Sequence, residues 1–239
     1  MRSLYARASK SIFTSPLDRI AWLPAAGTRA VFIPIGANIP GYASNGSRSN
    51  ARAGNRRTVA VFCLSDPPNL SREVADISLA VRGLMINGTE VQLVFLGRGT
   101  AEAKGEIERA FEGSSAKILN LGVLPPEEIS RVLSESDSML CVRGPLYPGR
   151  SSALAGIACG LPIIGYAGAC AGTPIAEAGV ELVPHGDRES LARAIAGVLN
   201  DPHRWQDLHE RSLRAQQKYF SWDVIAEKFR EALDDRVAL

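Results

Sequence analysis

From Thr58 onward the chain alternates short, mainly apolar runs with stretches whose apolar residues recur at helical spacing. The runs are Val59–Leu64, Val91–Leu96, Lys117–Leu121, Met139–Val142 and Ile163–Gly165. Between the first two, Leu70–Met85 carries Val74, Ile77, Val81, Leu84 and Met85 on one stripe and stops at Asn87-Gly88. Ala101–Phe111 is a charged helix, and Pro125-Pro126-Glu127-Glu128 opens another with Ile129, Val132 and Leu133 on its apolar face. Apolar strands that do not alternate with polar residues are buried on both faces, which calls for a parallel sheet with helices on either side. The expectation is a doubly wound, Rossmann-like α/β domain of about six strands, with any ligand at the C-terminal strand ends. Asp187, Asp201-Pro202 and Ser221 then start helices that form a C-terminal helical extension. Trp205 and Trp222 fall on helical apolar stripes and are expected in the core.

Charge divides the chain unevenly. Residues 1–58 hold nine Arg or Lys against Asp18 alone, a balance of +8, so the rest of a chain of net charge +2 carries −6. Such a front is either a solvated basic arm or a surface for an anionic membrane or acidic partner. Within it, Ser11–Leu23 is expected to form a strand and a short helix, Ala30–Pro40 a strand and a turn. Residues 44–57 (SNGSRSNARAGNRR) lack apolar periodicity and are expected to be an exposed, flexible loop. No apolar run approaches the roughly 18–20 residues of a membrane span. Cys63, Cys141, Cys159 and Cys170 have no metal-ligand spacing and suit reduced, structural thiols in a cytosol. No metal site and no nucleic-acid partner is expected.

The densest functional signal is Arg150–Asp187. Arg150, Ser151 and Ser152 lead into the small-residue helix Ala153–Cys159, so a cation and two hydroxyls stand beside unpaired backbone N–H groups. A helix N-terminus carries about half a positive charge, and the assembly suits an anion. The plainer alternative is that both serines cap the helix while Arg143 and Arg150 face solvent. His185 suits a turn, Glu177 a local pair, and His203 and His209 stand six apart, which is not metal-ligand spacing.

The order of residues in Arg150–Asp187 resembles the donor-sugar domain of the large retaining family of GT-B glycosyltransferases, whose pattern runs roughly EAMACGxPVV…PE(I/L)VxDGxxGxLVPxGD. Phe32–Pro40 (FIPIGANIP) is similar to that family's interdomain strand. Leu93–Gly99 (LVFLGRG) resembles its LxLxGxG, Leu119–Val142 its strand–LP–EE helix segment, and Phe220-Ser221-Trp222 its FSWxxIA helix start.

The resemblance implies that residues 1–43 are a remnant of an acceptor domain with the interdomain strand, 44–58 a flexible basic loop and 59–239 a nucleotide-sugar donor-binding domain. It implies a donor diphosphate at Arg143, Gly149, Arg150, Ser151 and Ser152, a nucleotide base near Gly122, Val123 and Leu124, and further pocket contacts from Gly97 and Arg72. Three departures accompany it. Tyr147 and Ala155 stand where the family has paired glutamates. The Arg and Lys that follow the first donor-domain strand are missing from Cys63–Asn69, leaving Arg72 as the nearest cation. Most of an acceptor domain has no counterpart.

The function implied is that of a hexosyltransferase-type donor domain, binding a nucleotide-diphosphate sugar without a further cofactor for transfer to a glycan or lipid. It would be cytoplasmic, or peripheral to a membrane. Two other readings stay open: a non-catalytic donor-binding subunit that works with a separate acceptor-domain chain or as a homo-oligomer, and a degenerate interaction module.

Overall fold

The computed structural model describes residues 2–24, 29–40, 55–86 and 88–234. At the front, α1 (Arg2–Arg7) precedes two three-residue strands, β1 (Ser11–Phe13) and β2 (Ala30–Phe32), which pair in parallel with Ser11 opposite Ala30. The main sheet contains β3 (Arg56–Phe62), β4 (Glu90–Leu96), β5 (Lys117–Gly122), β6 (Ser138–Cys141), β7 (Ile163–Tyr166) and β8 (Val180–Val183). All neighbours are parallel, in the order β5-β4-β3-β6-β7-β8. The chain runs outward from β3 through β4 to β5, then returns to build the other half from β6. The crevice between the ends of β3 and β6 is therefore the topological switch point, where doubly wound sheets hold ligands.

The helices are α2 (Leu70–Ile86), α3 (Lys104–Ala110), α4 (Pro126–Glu135), α5 (Ser151–Ala158), α6 (Arg188–Asn200), α7 (Pro202–Ala215) and α8 (Trp222–Asp234), with a π-helical turn over Gln216–Phe220 between the last two. Each strand sends alternate residues to opposite faces. Val59, Val61, Leu93, Phe95, Leu140 and Ile164 join the core under α2, α3 and α6, while Ala60, Val94, Leu96, Met139 and Ile163 join the core under α4 and α5. Both sets are sealed, and full burial of one such aliphatic side chain stabilises by roughly 1.5–3 kcal/mol.

Local capping follows the sequence closely. The Asp187 carboxylate accepts from Ser190 N at 2.9 Å and from its hydroxyl at 2.7 Å, which holds the acid below the usual carboxylate range. Asp201 accepts from the backbone N–H groups of His203 (2.9 Å) and Arg204 (3.1 Å). Most other boundaries shift by a residue or two, and two differ by more. β3 begins at Arg56, because Arg56, Arg57 and Thr58 pair with Glu90, Val91 and Gln92 of β4, which makes residues 56 and 57 of the expected loop part of the strand. α3 is shorter than Ala101–Phe111, since residues 100–103 form turns. Residues 44–54 of the expected loop lie outside the described residues.

Trp205 is buried, its Nε1 donating to Asp137 O at 2.6 Å. Trp222 is not a core residue. It is 60% exposed and lies flat over Gly36, where a Cβ would come within 2.9 Å of the ring, while its Nε1 donates to Ala37 O at 2.8 Å. Its place in the first turn of α8 makes it a clasp on the 33–40 segment. Ile225 and Ala232 of α8 bury against Ile33, with Ile12 and Val31 packed beside them. The C-terminal helix thus carries the front unit.

Candidate functional site

Four loops meet at the C-terminal edge of the sheet. The backbone turns sharply where β3 ends: Cys63 holds a positive φ of 66°, a conformation that costs a non-glycine residue of order 1–3 kcal/mol and that clusters at functional sites. Opposite it, Gly97 and Gly99 follow β4 with φ of 87° and 83°. A Cβ on Gly99 would lie 2.4 Å from Leu64 O, and one on Gly97 would lie 2.7 Å from Cys63 Sγ, so only glycine admits this approach. Gly97 N donates to Gly122 O at 2.6 Å, and Asn120 Nδ2 donates to Thr100 O at 2.5 Å, locking the ends of β4 and β5 together.

These loops enclose a cleft of about 350 Å³ lined by Leu64, Asp66, the 97–99 turn, Glu102, Val123 and Arg143. Its charged groups are mixed: Arg98 and Arg143 on one hand, Asp66 and Glu102 on the other. A ligand that carries anionic oxygens together with hydroxyl or N–H donors matches both sets, whereas a bare anion matches half.

Arg143 bridges the switch point, its Nε donating to Ser65 Oγ at 3.3 Å across the gap between the β6 and β3 loops. Ser65 N in turn donates to Glu73 Oε2 at 2.9 Å. Arg150 occupies the N-cap position of α5, and no side chain caps that helix, so Ser151 and Ser152 do not act as the caps of the plainer alternative, while Arg143 is exposed as that alternative expects and Arg150 is half-buried. The Arg150 guanidinium donates from Nη2 to Pro145 O at 3.1 Å and lies 5.0 Å from the Tyr147 ring centroid. Its charge acts on the Cys141 thiol at the end of β6, but burial dominates there and pushes that thiol up to about 12.

The structure therefore brings Gly97, Val123 and Arg143 to one cleft, with Gly122 behind it through its bond to Gly97. Gly149, Arg150, Ser151 and Ser152 stand together at the start of α5, next to the Arg143 loop but not in the cleft wall. Leu124 is half-buried against the core under α4. Arg72 does not line the cleft, and its buried Nε has no hydrogen-bond partner. Tyr147, in the loop before α5, is 42% exposed with its ring against Gly149, and Ala155 of α5 is fully buried, so neither position offers a carboxylate to a ligand.

Sequence reasoning missed the carboxylates. Asp66 and Glu102 follow β3 and β4 in loops of ordinary composition, and only the closeness of the two loops gives them a role. It also missed a buried network beside the switch point. Asp76 of α2, 1% exposed, accepts from Tyr166 Oη at 2.7 Å and from Arg188 Nε at 2.5 Å. Burial, then the Asp76 bond, holds the Tyr166 hydroxyl protonated well above its ordinary range. His185 is exposed and sets its ring edge-on against Tyr166 at 5.1 Å, and Glu177 accepts from Thr173 nearby but also from Lys218 and Tyr219, 41 and 42 positions away, so its pairing is not only the local one expected.

No family model matches the sequence, and no curated protein is similar to it. The fold, however, matches solved glycosyltransferase structures. Sucrose-phosphate synthase from Thermosynechococcus elongatus superposes with a TM-score of 0.72 at 20% identity, over 98% of this chain and 60% of that one. HepE of Anabaena, solved in complex with UDP-glucose, gives 0.67 at 18% identity, over 98% and 66%. WaaG, a glycosyltransferase involved in lipopolysaccharide biosynthesis, gives 0.62 at 15%, over 95% and 62%. The chain has the GT-B glycosyltransferase-like fold, a doubly wound α/β architecture with a C-terminal helical extension, and spans about 60% of the length of the sucrose-phosphate synthase it matches.

Proposed function

We propose that this chain binds a nucleoside-diphosphate sugar at the C-terminal edge of its sheet, as the donor-binding part of a glycosyltransferase. The observation that carries this reading is the position of Arg143, which spans the switch point to Ser65 while lining the mixed-charge cleft. The diphosphate would lie between Arg143 and the uncapped start of α5, where Arg150 and the helix dipole favour negative charge. Base, ribose or sugar hydroxyls would then meet Asp66 and Glu102. Likeness to HepE, whose structure holds UDP-glucose, supports a nucleotide sugar as the ligand class.

In this arrangement Arg150 must leave Pro145 O and the Tyr147 ring to reach phosphate, so binding exchanges a weak internal contact for a charge-assisted bond. Transfer would place negative charge on the departing diphosphate, and fixed cations stabilise that charge as it develops, without a metal. An acceptor hydroxyl must be oriented by groups beyond this cleft, from a second domain in the same or another polypeptide. The absence of any carboxylate at Tyr147 and Ala155 favours a second reading, a donor-binding subunit whose chemistry is completed by a partner. Glycan or lipid acceptors suit either.

Titration calorimetry with UDP, GDP, ADP and their glucose conjugates tests the assignment. Arg143→Ala and Arg150→Ala are each expected to lose roughly 1.5–3 kcal/mol, the range for a charge-assisted hydrogen bond, or about ten- to a hundredfold in affinity. Unchanged affinity in both variants would overturn it. Release of nucleoside diphosphate that depends on added acceptor, from this chain alone, would overturn the second reading.

A further inference from the structure

None of residues 2–24 is buried, although Leu4, Tyr5, Ile12, Phe13, Ile20 and Trp22 stand among them. Tyr5, Phe13 and Trp22 cluster with ring centroids 5.7–6.3 Å apart, and Leu4 beside them is 72% exposed. Together with Ile12 and Ile20 they form an open apolar groove of about 590 Å³. Large apolar and aromatic side chains gathered in one open groove and flanked by charge are the kind of surface that takes a partner. The exposed cations neighbour it in the chain: Arg2 and Arg7 share α1 with Leu4 and Tyr5, Arg19 precedes Ile20, and Arg29 is exposed as well. Arg29 reaches α1 through Ala6 O at 3.4 Å, and Asp18, the one acid in residues 1–58, is paired with Arg19 at 3.1 Å.

We propose that this front unit docks peripherally on an anionic phospholipid surface, with Leu4 and the aromatic cluster at the acyl boundary and the arginines among the headgroups. An anionic leaflet is the occupant that offers both negative charge for the exposed arginines and hydrocarbon for the apolar groove. Tyr and Trp favour that boundary. Nucleic acid fits less well, because the three rings pack on one another at 51–73° instead of forming a parallel platform for successive bases. A second copy related by two-fold symmetry would set the same arginines against themselves. Among the described residues no helix is long and apolar enough to cross a membrane, so the contact is peripheral.

Co-sedimentation of the whole chain with phosphatidylcholine vesicles, with and without phosphatidylglycerol, tests this. Binding is expected only with phosphatidylglycerol and is expected to fall as salt rises. Arg2→Glu combined with Arg7→Glu should weaken it at least tenfold, and Leu4→Ser severalfold at low salt. Both variants should keep the parent unfolding temperature and UDP affinity, which separates this contact from the donor site. No binding, equal binding to neutral vesicles, or binding untouched by either variant would overturn the proposal. So would displacement of the chain from vesicles by RNA at equal phosphate concentration, or a dimer that forms without lipid and is lost in Leu4→Ser.

Discussion

The two parallel sheets of this molecule are made of similar residues and have different fates. In the large sheet Val59, Leu93, Ile163 and Ile164 are fully covered, because helices close both faces. In the small one every residue of β1 and β2 is only partly covered, with α8 packed beside it. Parallel strands are stable where both faces are sealed. The comparison teaches that strand chemistry alone does not make a core: the large sheet is self-sufficient, and the front unit is finished only by what it meets.

The sharpest test of that difference is a pair of truncations. Leu93→Ala should destabilise the chain by about 2–5 kcal/mol in urea unfolding, since transfer and cavity costs add at a sealed site. Phe13→Ala, at a half-covered site, should cost about 1 kcal/mol or less. Equal costs would break the comparison and make the front part of one cooperative core.

Next in size is Asp76→Ala, expected to cost about 2–3 kcal/mol, because it strands the buried Tyr166 hydroxyl and the Arg188 guanidinium. Arg188 is 45% exposed, which keeps the cost below that of a fully buried ion pair. Tyr166→Phe leaves Asp76 with Arg188 and should cost clearly less. If both cost the same, the ion pair contributes nothing and the hydroxyl carries the network.

Loss of the Asp201 cap by Asp201→Ala should lower stability by about 1 kcal/mol, a shift of about 2–4 °C in Tm for a chain of this size. The smallest effect concerns thiols. With its pKa raised to about 12 by burial, Cys141 stays a protonated thiol at pH 8 and should resist alkylation, whereas partly exposed Cys170 should react. Rapid labelling of Cys141 in the native chain would mean that the end of β6 opens on that timescale.

Much of the sheet was legible because its signals are local. Apolar runs at Val59–Leu64 and Val91–Leu96, the stripe on α2, and the caps at Asp187 and Asp201 each depend on residues a few positions apart. Trp222 was misplaced because an apolar stripe does not say whether the facing surface is a core or a single glycine. The cleft was half legible: Arg143, Gly97 and Val123 belonged to recognisable loops, but Asp66 and Glu102 acquired a role only when two loops 36 residues apart came together.

What the sequence determined by itself is the alternation of buried strands and amphipathic helices, the helix starts, and the imbalance that leaves +8 on residues 1–58. Periodicity, capping and charge are short-range or additive, so they survive without coordinates. Tertiary structure alone decided that β6 returns to the far side of β3, that Arg143 reaches Ser65, and that Asp76 holds Tyr166 and Arg188. Those are contacts between residues 78, 90 and 112 positions apart, and no local pattern encodes which distant partner a side chain meets. The same holds for the front, where burial depends on whether another element covers the strands.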